Sequence, residues 1–493
     1  MDADEASPMP DKNQADKPLE RLLSDVRMRP DRNLLNCLDV TDPWPTIWAK
    51  ASKHSGATDA LLCCAQSTEE WQNFSDWSKN APQLLWLRGG VGHGKTLLLT
   101  KYVQTLLQPY PASRNNRAQN CAFFSFDSRF PEWGTPADAL RMIIWMLLVQ
   151  QPCLEHHLRN KRDALQRERI TDPDDFVALA TVFHDIVEDR RFNTAYIVVD
   201  AVDRCFAGTG RYALPDFMLL VTESIQRTPN LRWVLSYNDS NSRSMEPWIT
   251  SHDSQHFRLD PESPDWRTVI TKYAESKLTE VAKTKSYDDE LRETVINTLC
   301  GMKPVGFVWV DAVCRALLRE EARYTAPCLN TLSCLTSLDL LYGHMWRDVD
   351  SGYDCVKVMI TMAVVDTALD VDELGFLSDL FGDVRPETIV GKCGAFLHIQ
   401  ENRASFVHPS ARDYIRGKVL RRARANSLKN GLALGCLEFL TKRLPATSYS
   451  RSLSLYGYTD PHPDTDEPRP DRLHYSSIHW MRHLPWSPGH IGD

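Results

Sequence analysis

Leu84-Leu85-Trp86-Leu87 is an apolar run that breaks off into Arg88-Gly89-Gly90-Val91-Gly92-His93-Gly94-Lys95-Thr96, and an apolar-periodic stretch, Leu97 to Leu107, follows at once. Few folds accommodate that order. The run predicts a buried strand, the periodic stretch a helix, and the glycines between them a turn with no room for side chains. From Gly89 to Thr96 the spacing is G-x-x-x-x-G-K-[ST], that of a phosphate-binding loop. Glycines let successive backbone N–H groups point inward, and the first N–H groups of the helix face the same way, toward phosphate oxygens. Lys95 would set an ammonium on the β/γ oxygens, and Thr96 would give its hydroxyl to Mg²⁺. The competing reading is a ligand-free glycine turn, which the strand–loop–helix context disfavours.

The stretch around this loop alternates in the same manner. Strands are expected at Leu84–Leu87, Ala122–Phe126, Tyr196–Val199, Trp233–Ser236 and His256–Leu259, with helices at Leu97–Leu107, Ala137–Gln150, Asp174–Glu188 and Asp216–Gln226. Short apolar strands alternating with helices imply a parallel sheet covered on both faces, with ligands at the carboxyl ends of the strands. Ala195-Tyr196-Ile197-Val198-Val199-Asp200 is an apolar strand ending in an acid, which in phosphate-loop enzymes holds the Mg²⁺ shell. Thr96 and Asp200 are therefore the expected metal residues, and Asp203 could orient an attacking water. The alternative for Asp200 is a turn acid after a buried strand.

At 493 residues the chain exceeds one ordinary core. Its patterning suggests segments at 1–55 (mobile segment and linker), 56–262 (nucleotide-binding), 263–350 (helical), 351–425 (winged-helix-like) and 426–493 (C-terminal helices). The winged-helix reading comes from helical patterns at Val371–Phe381 and Pro386–Cys393 followed by strand patterns at Phe396–Ile399 and Ser405–His408. No basic cluster marks a DNA-reading helix there, and the net charge of -8 argues against nucleic acid as a partner. Thirteen cysteines without a C-x-x-C pair read as reduced thiols, and with a polar start and no apolar run long enough for a bilayer they predict a cytoplasmic protein without a membrane partner. His156-His157 are neighbours expected to face different ways on a helix, which disfavours a metal site, and Trp145 and Trp309 read as core.

An ordered set of motifs carries a resemblance. The Leu85–Thr96 stretch is similar to the LLWIKGDPGKGKT of fungal NACHT-type signal-transduction NTPases, which are NOD-like-receptor-like and share a nephrocystin-like N-terminal NTPase domain. Asp200-Ala201-Val202-Asp203-Arg204-Cys205 resembles their DALDEC, and Gly306-Phe307-Val308-Trp309-Val310 their TFLWV helix. Cys393–Leu397 and Phe406–Tyr414 resemble the winged-helix ending, and Thr41-Asp42-Pro43 the preceding linker. The resemblance implies an α/β P-loop NTPase domain followed by helical, winged-helix-like and C-terminal helical parts. It also implies a switch: ADP holds the domains closed, ATP opens them for self-oligomerisation or protein partners, and a histidine, here His408, reaches the ADP phosphate.

Three departures qualify that expectation. Arg204 stands where the family has glutamate, so that it becomes a catalytic candidate beside Asp203 or a cation that pairs with it. Tyr237 follows Ser236 where the family has a sensor arginine, and a neutral phenol cannot neutralise a γ-phosphate. The N-terminal region is short for an effector domain, and no repeat array follows. A regulatory switch binding ATP or ADP with Mg²⁺ and hydrolysing slowly is the expectation. A phosphate-loop enzyme with real turnover and a scaffold that has lost its ligand are the alternatives. Ser236-Tyr237-Asn238-Asp239 lacks the pattern of a guanine reader, which makes GTP the less expected nucleotide.

Overall fold

The computed structural model describes residues 31–38, 40, 42–45, 47, 55–67, 83–107, 119–126, 134–160, 176–205, 212–250, 254–260, 263–301, 306–319, 324–332, 334–350, 352–365, 367–380, 385–400, 402–422, 425–443 and 476. The chain divides into two compact units, one running through Tyr273 and the other from Ala274 onward.

The first unit is built on five parallel strands, β1 (Leu84–Gly89), β2 (Asn120–Ser125), β3 (Ala195–Asp200), β4 (Leu231–Asn238) and β5 (Gln255–Arg258), in the order β2-β3-β4-β1-β5. All five coincide with expected strands. Helix α1 (Ser55–Ser67) precedes the first strand; parallel neighbours need crossovers, and α2 (Lys95–Leu107), α3 (Pro136–Gln150), α4 (Phe176–Glu188), α5 (Leu214–Arg227) and α6 (Ser242–Ile249) supply them, while α7 (Pro264–Thr284) follows the last strand. β3 is buried at every residue, which is why it reads as one apolar run and does not alternate. A capping box sets the start of α3: Thr135 Oγ1 accepts from the Asp138 N–H (3.2 Å), and Asp138 Oδ2 accepts from the Thr135 N–H (2.9 Å). Trp233 of β4, fully buried, meets Phe217 and Phe183 edge-on and donates its indole N–H to Ser224 Oγ at 3.0 Å.

Two expectations change here. The stretch before α1, expected to be a linker, is packed where it is described: Leu34, Leu35, Leu38, Trp44 and Ile47 are buried, and Asp42 Oδ1 accepts from the Trp44 N–H at 3.0 Å. Its apolar residues fall at irregular spacing, so no period announces them. Trp145 is only half-buried, whereas Trp309 is core.

The second unit opens with helices α8 (Asp289–Gly301), α9 (Phe307–Arg319), α10 (Thr325–Leu332), α11 (Leu338–Asp350) and α12 (Tyr353–Val364). A small antiparallel sheet follows, made of β6 (Leu369–Asp370), β7 (Leu397–Gln400) and β8 (Arg403–Phe406) in the order β6-β8-β7. Helices α13 (Val371–Leu377) and α14 (Pro386–Lys392) lie between β6 and β7, and α15 (Pro409–Arg422) and α16 (Ala425–Arg443) close the described chain. β6 was not legible, being two residues long. The β7–β8 hairpin turns more tightly than expected, with Asn402 at φ 61°, a conformation asparagine tolerates, and its side chain donating to Asp370 Oδ2 at 2.9 Å. In this unit the buried Tyr342, Trp346 and Phe396 form an aromatic cluster with the half-buried Tyr414. The helix expected at Arg472–His483 lies outside the described residues except for Ser476.

No described helix is long and apolar enough to cross a membrane.

Candidate nucleotide site

β1 delivers the loop to the carboxyl end of the sheet. Gly92 (φ 75°) and Gly94 (φ 93°) adopt left-handed backbone that a side chain would strain. At Gly90 a Cβ would come within 2.7 Å of the His93 ring, so the glycine admits that ring. His93 Nδ1 accepts from the Gly90 N–H at 3.0 Å, which folds the loop back on its own start. An accepting Nδ1 is a neutral imidazole, and burial with the neighbouring Lys95 charge lowers the His93 pKa accordingly. Val91 is exposed at the tip.

Lys95 begins α2 and folds its side chain over the loop, donating to the carbonyls of Gly89 (2.7 Å) and Gly90 (2.9 Å). Burial lowers its pKa, opposed by the charges of Asp200 and Asp203. The ammonium is thus held over the strand end by carbonyls that a stronger anionic acceptor can displace.

Thr96, the next residue, donates its hydroxyl to Asp200 Oδ2 at 2.7 Å. Ser125 Oγ donates to the same oxygen at 3.1 Å, and Ser236 Oγ to Oδ1 at 2.6 Å. Ser236 Oγ in turn accepts from the Ala201 N–H at 2.9 Å. Register explains the convergence. Ser125 lies opposite Asp200 in the β2–β3 pair, and Val199 opposite Leu235 places Ser236 beside Asp200 in the next pair. Ser125 and Ser236 carry this site together with the motif residues, yet they fall outside the motif. The signal that could have found them is a polar residue at the carboxyl end of each apolar run: Ser125 and Asp200 end β2 and β3, and Ser236 follows the apolar Trp233-Val234-Leu235 of β4.

Asp203 lies in a short helical turn after Ala201, which itself adopts a left-handed φ of 55°. Its Oδ2 accepts from Asn241 Nδ2 at 2.7 Å, while Oδ1 is buried without a hydrogen-bond partner among the described residues. Burial raises its pKa. The expectation that Arg204 pairs with Asp203 is therefore revised: Asn241 holds the carboxylate, and Arg204 acts on it through its charge. Tyr237 is also placed differently from a sensor. Side chains alternate along a strand, so Ser236 and Tyr237 leave β4 on opposite faces. Tyr237 is buried, edge-on to Trp86 at 5.6 Å, with the Arg88 charge near its hydroxyl.

His408 belongs to the other unit. It caps α15: its Nδ1 accepts from the Ser410 N–H at 3.1 Å and lies 2.7 Å from Ser410 Oγ, which is 3.0 Å from the Tyr342 hydroxyl.

The donors suit a nucleotide with Mg²⁺: a glycine cradle, a buried ammonium, and a hydroxyl–carboxylate pair of hard oxygen ligands. Sheet order, loop and strand-ending acid define the class, an α/β phosphate-loop NTPase domain followed by a mostly helical remainder. The N-terminal family model of nephrocystin 3 matches residues 64–236. The chain is 25% identical to the vegetative incompatibility protein HET-E-1 of Podospora anserina over 95% of its own length, and spans 35% of the length of that relative. With the motif set, these likenesses support a NACHT-like NTPase. Among solved structures, the Walker-type ATPase PABY2304 of Pyrococcus abyssi aligns at 12% identity and a TM-score of 0.33, covering 80% of this chain and 99% of that one. PCH-2 of C. elegans aligns at 11% identity and a TM-score of 0.29, covering 66% and 72%.

Proposed function

We propose that the chain is a nucleotide-gated regulatory switch that binds ADP or ATP with Mg²⁺, with GTP the less favoured ligand, and turns it over slowly. The observation that carries this reading is the convergence of Lys95, Thr96 and Asp200, with the Thr96 hydroxyl 2.7 Å from the carboxylate. Lys95 would meet the β/γ-phosphates, the N–H groups of the loop the phosphate oxygens, and Thr96 and Asp200 the Mg²⁺ shell. Bound Mg²⁺ supplies charge neutralisation. The likeness to an incompatibility protein supports a signalling role of that kind, through self-oligomerisation or protein partners. Titrating the purified protein with fluorescent ADP and ATP in Mg²⁺ is the test, and absence of saturable binding would overturn the reading. Lys95→Ala should weaken binding by roughly ten- to a hundredfold, since a charge-assisted hydrogen bond is worth about 1.5–3 kcal/mol.

In this reading the unit from α12 to α15 acts as a winged-helix-like lock, and His408 couples it to the diphosphate. Because His408 also caps α15, its two roles need separating. Asparagine is a good cap but has no imidazole. His408→Asn should leave the unfolding midpoint near wild type and lower ADP affinity about five- to a hundredfold, the usual range of coupling energies. Unchanged ADP affinity would leave His408 a helix cap only.

A further inference from the structure

His156, His157 and Asp189 form a second polar cluster in the first unit, at the opposite end of the sheet from the phosphate loop. Asp189 follows the last residue of α4, and the turn after it feeds the start of β3, whereas Asp200 ends that strand. The sequence disfavours a metal here because adjacent helical residues diverge. Divergence of about 100° per residue is not opposition, however. In the first turn of the helical stretch 155–160 the two rings lie 3.9 Å apart between centroids and both reach one carboxylate. His157 Nε2 is 2.8 Å, and His156 Nε2 3.4 Å, from Asp189 Oδ2. Bonds of roughly 2.0–2.2 Å to a tetrahedral ion put neighbouring ligand atoms roughly 3.3–3.6 Å apart. A small inward or outward shift brings this trio to that spacing.

Two further observations point to a cation. His156 Nδ1 lies 3.1 Å from the Cys153 carbonyl, to which only an N–H can donate, so its Nε2 is left as the accepting atom. That is the orientation in which imidazoles bind metals, with the far nitrogen anchored to backbone. The second observation is Arg191, whose Nη2 stands 2.9 Å from His156 Nε2 and 2.8 Å from Asp189 Oδ2. A positive group already sits against two of the three ligand atoms. Its side chain is 56% exposed and can leave toward solvent.

We propose that His156, His157 and Asp189 bind a zinc-type divalent ion, with Arg191 the displaceable cation that fills the site in its absence. Two imidazoles and one carboxylate select such an ion over Mg²⁺ or Ca²⁺, which prefer oxygen alone, and water completes the shell. His157, which now donates its Nε2 proton to Asp189, passes that proton to its own Nδ1 through solvent on binding, so the ring stays neutral. The ion would pin residues 155–160 to the turn that enters β3, a structural staple independent of nucleotide.

The test is a titration of the full chain with Zn²⁺ and Co²⁺ in excess Mg²⁺. One equivalent should bind, with a Co²⁺ spectrum of nitrogen and oxygen ligation lacking thiolate charge-transfer bands. Arg191→Ala should bind about tenfold tighter, because the competing charge-assisted bonds are gone. His156→Ala, His157→Ala and Asp189→Asn should each weaken binding by more than about tenfold. Zn²⁺ should raise the unfolding midpoint of wild type but not of Asp189→Asn. Circular dichroism checks that each variant folds, and the Arg191→Ala and Asp189→Asn readings decide the matter should either histidine variant fail to. Absence of binding in both wild type and Arg191→Ala, a thiolate spectrum, or equal affinity in the folded ligand variants would overturn the proposal.

Discussion

Asp200→Ala should be the most disruptive single substitution at the strand ends, lowering stability by about 4 kcal/mol as well as abolishing Mg²⁺-dependent binding. The carboxylate is buried and is the acceptor for three hydroxyls, from Thr96, Ser125 and Ser236. Hydrogen bonds to a charged acceptor contribute about 1.5–3 kcal/mol each, and part of that is recovered when hydroxyls rotate to other acceptors. Asp200 is also the leading favourable charge for the buried Lys95 ammonium, so its loss leaves a cation poorly compensated. Asparagine separates the two effects. Asp200→Asn keeps an accepting oxygen and the side-chain volume but carries no charge for a metal. It should fold, with a smaller shift in the urea midpoint, and bind ATP with the same affinity in Mg²⁺ and in EDTA. A variant that retained the full Mg²⁺ dependence would remove Asp200 from the metal shell.

Much of this site was legible because its chemistry depends on local sequence. The glycine spacing of Gly89–Thr96 is a backbone requirement, visible in any strand–loop–helix, and the five strands announce themselves as apolar runs in a sheet buried on both sides. Ser125 and Ser236 were not legible as ligands of Asp200, because their role comes from strand order: β2 and β4 flank β3 only after the crossovers are made. The partner of Asp203 was missed for the same reason. Asn241 is 38 residues downstream, whereas Arg204 is adjacent and draws the eye. The sequence could say that Tyr237 replaces an arginine, but which face of β4 it takes depends on Ser236 having gone to Asp200. His156 and His157 fail differently: a one-dimensional rule about neighbouring helical residues ignores the reach of two imidazoles toward a residue on another element.

Hydrolysis is expected to be very slow even where nucleotide binds firmly, and the structure alters the reason. In phosphoryl transfer most of the catalysis is positioning and electrostatic stabilisation of the γ-phosphoryl oxygens. The group expected to position water is Asp203. Asn241 holds it through Oδ2, while Oδ1 is buried without a hydrogen-bond partner among the described residues. The expected deficiency is the cation on the γ-phosphate. Tyr237 stands where the resemblance places a sensor arginine, and its neutral ring is buried against Trp86, so it would bring no charge to the phosphate. Loss of one such arginine lowers the rate by about a thousandfold or more. Simple restoration should also fail. Tyr237→Arg would bury a guanidinium beside Arg88, and an uncompensated buried charge destabilises by about 3–5 kcal/mol, so that variant should unfold more easily without gaining rate. Single-turnover phosphate release on wild type, Asp203→Asn, Arg204→Glu and Tyr237→Arg separates the possibilities. The expected pattern is a trace rate in wild type, abolished by Asp203→Asn and little changed by Arg204→Glu. Brisk wild-type turnover that disappears in Arg204→Glu would mean that Arg204, one turn beyond the strand end, supplies the charge itself, and the slow-switch reading would give way to that of an enzyme.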